Sequence, residues 1–186
     1  MKELIRCGWC EKSELYQSYH DEEWGRPVFE DKIIFEFLVL ESFQAGLSWL
    51  TILNKRENFR LAFDDFNYKK IAKYSDEKVL ELMSNPGIVR NRLKISATIN
   101  NAKRFQEVQK EFGTFSQYIW NFVSGKPIIN HPKTLDDVPA TSEISDLLAS
   151  DLKLRGFKFL GSTVIYAHMQ ATGMVNDHVE NCWVRK

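Results

Sequence analysis

The chain has 186 residues, enough to bury a core without disulfides, and reads as one domain over residues 1–186. Lys plus Arg and Asp plus Glu both number 25, so no global field draws the chain to a polyanion, and any such contact must come from local basic patches. No apolar run follows the charged start Met1–Cys7, no stretch approaches the ~20 apolar residues of a membrane span, and three cysteines suit reduced thiols better than a disulfide framework; the expectation is a cytoplasmic protein with no membrane partner.

In the first sixth of the chain Trp9, Tyr16, Tyr19 and Trp24 cluster in a segment without clear periodicity. Such loop aromatics either roof the core or form a stacking slot for a flat ligand. Asp31 to Gln44 carries Ile33, Ile34, Phe37 and Leu38 at helical spacing and is expected to form an amphipathic helix. Glu41 follows Phe37 by four residues and so continues the apolar stripe where a hydrophobe was expected. A carboxylate there lies at the exposed end of the stripe, or it is buried beside aromatics and poised for a cationic or hydrogen-bond-donating heterocycle.

Ser48 caps a second expected helix carrying Trp49, Ile52 and Leu53, which continues into Asn54-Lys55-Arg56-Glu57 before Phe59 and Phe63. Short helices are expected over Tyr68–Ala72 and Asp76–Met83. Asn85-Pro86-Gly87 is the strongest turn signal, and Ile88 to Phe112 returns to helical spacing, giving helix, tight hairpin and long helix. Arg90, Arg92 and Lys94 follow the turn where helix-start amides suit a phosphate oxygen, although a charge run is more often a solvated face. Lys153, Arg155 and Lys158 offer a second basic strip. Further helices are expected over Thr114–Val123, Ser142–Leu154 and Ser162–Thr172, with Lys126–Pro139 as a long loop. Too little remains for a sheet, so the fold class is all-α, a single compact helical domain.

Two mixed ligand pairs stand out. His178 and Cys182 lie four residues apart, one helical turn, and Cys7 with His20 forms a second pair near the other end. Two thiolates and two imidazoles complete the tetrahedral shell of structural zinc. Against this, His178 and Cys182 read equally as ordinary surface and core residues. Cys10, in Cys7-Gly8-Trp9-Cys10, stands as an alternative fourth ligand or as half of a redox pair.

With these residues in view, the chain resembles the bacterial DNA-3-methyladenine glycosylase I family of the helix-hairpin-helix glycosylase superfamily. The carriers are Arg6-Cys7-Gly8-Trp9, Tyr19-His20-Asp21-Glu22-Glu23-Trp24-Gly25, Leu40-Glu41 with Gln44-Ala45-Gly46-Leu47-Ser48-Trp49, Lys55-Arg56-Glu57-Asn58, Arg155-Gly156-Phe157-Lys158-Phe159 and Val175-Asn176-Asp177-His178. The resemblance implies one structural zinc held by Cys7, His20, His178 and Cys182. It implies a flipped-base pocket of Trp9, Tyr16, Tyr19, Glu41 and Trp49; from the place of Glu41 on an apolar stripe we expect it to matter most to catalysis, with the base held between Tyr19 and Trp49. Gly87, Arg90, Arg92 and Lys94 are the expected contacts to alkylated double-stranded DNA. The implied reaction is hydrolytic release of 3-methyladenine by a monomer, without strand cleavage.

The sequence departs from the wider superfamily at three points. Val89 stands where many members carry a second hairpin glycine, and Asn91 lies near the position of the Schiff-base lysine of strand-cleaving members. No Asp occurs between Asp76 and Asp136, where the superfamily's catalytic aspartate should lie. The missing aspartate keeps open a damage-recognising module without catalysis. A zinc hydrolase, with water replacing one ligand, is a third reading.

Overall fold

Polar caps punctuate the chain. Ser13, Ser48, Ser75, Asn91, Thr114 and Ser142 each accept a hydrogen bond from a main-chain amide of the following first turn, satisfying a donor that the helix leaves unpaired. The computed structural model describes residues 4–185, so part of the charged start, Met1 to Glu3, lies outside the described residues. Among these, α1 spans Glu14–Glu22, α2 Asp31–Gln44, α3 Trp49–Ala62, α4 Tyr68–Ile71 and α5 Asp76–Ser84. They are followed by α6 at Arg92–Phe112, α7 at Phe115–Asn121, α8 at Glu143–Leu154 and α9 at Ser162–Ala171. The all-α expectation holds, and among the described residues no helix is long and apolar enough to cross a membrane.

Helix α2 is the axis of the fold. Every residue from Ile34 to Phe43 is buried, and α3, α6, α7 and α9 pack around it. The amphipathic helix expected from its sequence is therefore corrected: a helix apolar on all sides is one enclosed by its neighbours. The two carboxylates on it, Glu36 and Glu41, are each only 4% exposed. Glu36 is paired, accepting from Arg56 Nε at 2.6 Å and Arg60 Nη2 at 2.8 Å. Arg56 also donates to Glu23 at the end of α1, so one guanidinium ties α1, α2 and α3 together.

Three further expectations are corrected. The N-terminal aromatics do not lie in an irregular loop, because Tyr16 and Tyr19 sit on α1, one turn apart on the face turned to the protein. The expected loop 126–139 contains a strand, β1 at Ile128–Ile129, paired in parallel with β2 at Val175–Asn176, and a 3₁₀ turn at Leu135–Asp137. His178 and Cys182 are joined by a turn, closed by the bond from Cys182 N to Val179 O, rather than by a helix. The β1–β2 pair holds this turn in place. Gly173, just before it, has φ +67°, and a β-carbon there would stand 2.2 Å from the carbonyl carbon of Arg26. Glycine is required at that crossing.

Candidate active site

A cavity of about 360 Å³ opens between α1, α2, α3 and α9, lined by Trp9, Tyr16, Tyr19, Trp24, Glu41, Gln44, Trp49, Leu135, Val138, Ala167 and Gln170. All five residues expected to line a base pocket are brought together here. Trp9 meets Tyr16 edge to face at 4.8 Å, and Tyr19 meets Trp49 at 5.6 Å with planes tilted by 53°. Tyr19 and Trp49 thus touch each other as adjacent walls. In this arrangement the two rings leave no gap between them, and the expected sandwich of a base between Tyr19 and Trp49 would need them to part. Behind Trp49 the ring of Phe37 stacks at 6.5 Å, and the Arg56 guanidinium sits 5.1 Å from the Phe37 centroid.

Glu41 is the charge-bearing group of this cavity. Its carboxyl makes no hydrogen bond to any described residue, and burial pushes its pKa up to about 8. Tyr19 is buried, and burial first, then the nearby Glu41, raises its phenol well above the usual range. Trp49 Nε1 is buried without a partner among the described residues. An aromatic box containing an unpaired carboxyl and an unpaired indole N–H is incomplete by itself, since buried polar groups are normally hydrogen-bonded. A flat, cationic or donor-bearing heterocycle would satisfy Glu41 and stack on the rings.

Beneath this cavity Cys7, His20, His178 and Cys182 converge, all buried, with ligand atoms within 4.8 Å of one another. Cys182 Sγ lies 3.5 Å from both His20 Nε2 and His178 Nδ1, and Cys7 Sγ lies 3.7 Å from His178 Nδ1. Bond lengths of ~2.3 Å to sulfur and ~2.05 Å to nitrogen at a tetrahedral angle require a sulfur–nitrogen edge of about 3.6 Å. The remaining ring nitrogens are engaged as metal-bound imidazoles require: His20 Nδ1 with Asp21 Oδ1 at 2.8 Å, and His178 Nε2 with Trp24 O at 3.0 Å. Asp21 is itself fixed by Arg6 and by Trp183 Nε1. Burial lowers His20 and takes His178 down to about 4, favouring the neutral rings that a metal needs, and the Cys7 amide also reaches His20 Nε2 at 3.4 Å. The donor set fits a dication.

Cys10 stands apart. Its thiol donates to Cys7 O at 3.1 Å, and burial pushes its pKa up to about 11 and that of Cys7 up to about 12. The raised thiols do not suit a redox pair, which needs a lowered one, and Cys10 is no alternative ligand because its thiol points to the Cys7 carbonyl and is not among the four converging ligand atoms.

The hairpin Asn85-Pro86-Gly87 is strapped to α3 by Lys55 Nζ, which donates to Pro86 O and Gly87 O. Arg90 and Arg92 project from it, exposed, with no ion pair among the described residues. The other two expected DNA contacts are corrected. Gly87 N donates to Asn85 Oδ1 at 2.8 Å, so this amide shapes the turn and is not free for a phosphate. Lys94 is 7% exposed and its ammonium donates at 2.9 Å to both Phe43 O and Ala45 O, the carbonyls left unpaired where α2 ends. In the second strip Arg155 is likewise committed, paired with Asp151 and Glu111 and seated on Phe112 and Tyr118, leaving Lys153 and Lys158 exposed.

Gln44, Gln170, Ala167, Leu135 and Val138 also line the cavity and were not singled out in the sequence. Gln44 lay inside a string that carried the resemblance; the others arrive from α9 and the 126–139 segment, and no local pattern marks them.

With this geometry established, comparison places the chain among known proteins. Residues 9–186 match the family model for methyladenine glycosylase. DNA-3-methyladenine glycosylase 1 of Escherichia coli is 45% identical over 96% of each chain, and the DNA-3-methyladenine glycosylase of Haemophilus influenzae is 45% identical over 95% of this chain and 96% of its own. A crystal structure of a 3-methyladenine DNA glycosylase I superposes with TM-score 0.94 at 45% identity, covering 96% of this chain and 98% of that one. The Staphylococcus aureus enzyme, solved to explain 3-methyladenine recognition, superposes with TM-score 0.94 at 36% identity, covering 97% and 96%. The chain belongs to the methyladenine glycosylase family.

Proposed function

We infer that this protein is a DNA glycosylase that releases 3-methyladenine from alkylated double-stranded DNA by hydrolysis. The observation that carries the reading is the aromatic cavity closed at one side by Glu41, a carboxyl without a protein partner. A flipped base enters such a slot at lower cost when methylation has weakened its stacking and pairing. Methylation at N3 places positive charge on the adenine, and Glu41 is the one carboxyl in the cavity available to meet it. Trp9, Tyr16, Tyr19 and Trp49 supply the stacking and edge contacts.

The charge on the base also weakens the bond to the sugar, so departure needs little acid help. The cavity walls exclude bulk water from the base, and Glu41 holds the leaving group in place as the sugar becomes positive. A zinc ion held by Cys7, His20, His178 and Cys182 would tie the two chain ends behind Trp9 and Trp24; with four protein ligands it has no position for water and no part in the chemistry. This closed shell disfavours the zinc-hydrolase reading. Arg90 and Arg92, exposed beside the hairpin, are suited to the phosphates next to the lesion.

The protein acts as a cytoplasmic monomer on this reading, and without a lyase step, because Asn91 is no nucleophile and the nearby Lys94 amine is buried and doubly bonded. Incubation with methylated duplex and chromatography of the released bases tests the assignment. Free 3-methyladenine and an intact abasic strand are expected. Binding without release would make the protein a recognition module, and borohydride trapping on DNA would reveal a lyase amine.

A further inference from the structure

Outside the base cavity lies a second depression, bordered by the Gln44–Leu47 turn, the Val138–Ala140 segment and α9. Four side chains belong to both: Gln44, Val138, Ala167 and Gln170. If the base fills the inner cavity and the strand lies outside, as the proposed function requires, the bond between base and sugar crosses this boundary. The sugar C1′ then sits beside these four side chains.

Two of the four are polar, and only one is held in a defined orientation. Gln170 Nε2 donates to Asp177 Oδ2 at 2.7 Å. Asp177 is 1% exposed and also accepts from Tyr166 Oη at 2.8 Å and Asn130 Nδ2 at 2.7 Å. Burial and Asp177 itself raise the Tyr166 phenol, which stays a donor. With its nitrogen committed to this buried carboxylate, the Gln170 amide cannot turn over, and Oε1 is the atom left without a donor among the described residues. Gln44 has no comparable anchor, since its side chain makes no hydrogen bond to a described residue. Nor is there a carboxylate at the boundary, because Glu41 is the single acidic residue lining either depression.

We propose that Gln170, locked by Asp177, is the acceptor that orients the attacking water at C1′. The bond between the base nitrogen and C1′ breaks with its electron pair leaving on the base, which neutralises the charge that methylation had placed there. The water oxygen then bonds to C1′, and its surplus proton passes to bulk solvent. Gln170 Oε1 accepts a hydrogen bond from that water and keeps no proton, and the negative end of its carbonyl dipole faces the positive sugar. A neutral acceptor is adequate here because the departing base is already cationic and the sugar, not the water, develops charge first.

The test uses the full chain with Gln170→Met, which keeps the length and removes the acceptor, and Asp177→Asn, which keeps Gln170 but lets its amide turn over. Single-turnover excision from methylated duplex is measured beside the affinity for free 3-methyladenine, read from tryptophan fluorescence. Gln170→Met is expected to slow excision about 10- to 100-fold, the scale of one hydrogen bond to a water that becomes charged as it attacks, with base affinity within about twofold of the parent. Asp177→Asn should lose a smaller factor with the same unchanged base affinity, and Gln44→Met less than Gln170→Met. Excision within twofold of the parent in both Gln170→Met and Asp177→Asn overturns the proposal. So does a rate loss matched by an equal loss of base affinity, which would make Gln170 a wall of the base pocket. Absence of release by the parent protein is a separate result, and it removes the proposed function instead.

Discussion

The imidazole of His178 packs against the α-carbon of Gly25, so closely that a β-carbon on Gly25 would stand 3.0 Å from Nε2 and 3.1 Å from Cδ2. Gly25 has φ +76°, a conformation that also favours glycine. The same ring is oriented by Trp24 O, one residue earlier. The Trp24-Gly25 pair therefore fixes a candidate ligand from the far end of the chain. Gly25→Ala is expected to displace this ring, weakening metal retention and lowering stability by roughly 1 kcal/mol or more. Metal content after dialysis against a mild chelator, alongside thermal unfolding, checks this; full retention in Gly25→Ala would show that the ring has room to spare.

One zinc per chain is expected, with ligands from Cys7, His20, His178 and Cys182. Cys10→Ser should keep the metal, since the Cys10 thiol points to the Cys7 carbonyl and not to the cluster. His20→Ala should lose it. Metal analysis giving the reverse pattern would move the site to Cys7 and Cys10. Zinc removal is expected to lower the unfolding temperature before it lowers excision by the protein that stays folded, as a structural ion requires.

The extents of α2 and the cap at Ser48 were legible because Asp31–Gln44 and Trp49–Ala62 carry strong local signals. The ligand set and the pocket residues followed from the family resemblance, and the structure brings both groups together. The strands could not be read, because two residues are too few for an alternating pattern and each acquires a partner only when residues 128 and 175 meet. Helix α1 was hidden by its own composition: six of nine residues are polar or charged, so its inward face consists of little more than Tyr16, Tyr19 and His20. Lys94 was misread for a related reason. Its charge suggests surface, yet its place on α6, beside buried Ile95 and one turn before Thr98, turns it to the end of α2.

That inward turn separates the roles of three cations. Arg90→Gln with Arg92→Gln should flatten the salt dependence of binding to undamaged duplex, by roughly 0.9 in log–log slope for each phosphate that is no longer neutralised. Lys94→Met should leave the slope unchanged and cost stability, about 1–3 kcal/mol, because two carbonyls at the end of α2 lose their donor. Titration of binding against salt, with denaturant unfolding of the same variants, distinguishes the two. A slope change in Lys94→Met at unaltered stability would return that ammonium to the DNA surface.

Glu41 gives the sharpest expectation, because one burial effect governs stability, binding and pH dependence together. Its pKa of about 8 lies above the ordinary 4.5, so the folded protein holds this proton more tightly than the unfolded chain. The stability this contributes is fully present below about pH 4.5 and is lost as pH rises through about 8, at about 1.4 kcal/mol for each unit of separation. Glu41→Gln, which keeps the shape and cannot ionise, should therefore become progressively more stable than the parent between pH 5 and about 8. Activity should move the other way. A cationic base stabilises the ionised carboxylate, so the parent's affinity for the methylated site rises with pH over that window, whereas Glu41→Gln loses the rise. At neutral pH the loss of this charge-assisted hydrogen bond should slow excision by the equivalent of about 1.5–3 kcal/mol, and Glu41→Ala should cost more. Single-turnover excision and thermal unfolding at several pH values, run in parallel on parent, Glu41→Gln and Glu41→Ala, carry the test. Undiminished excision by Glu41→Ala would remove the carboxyl from base recognition, and parallel stability profiles for parent and Glu41→Gln would show that Glu41 is not the group buried in its neutral form.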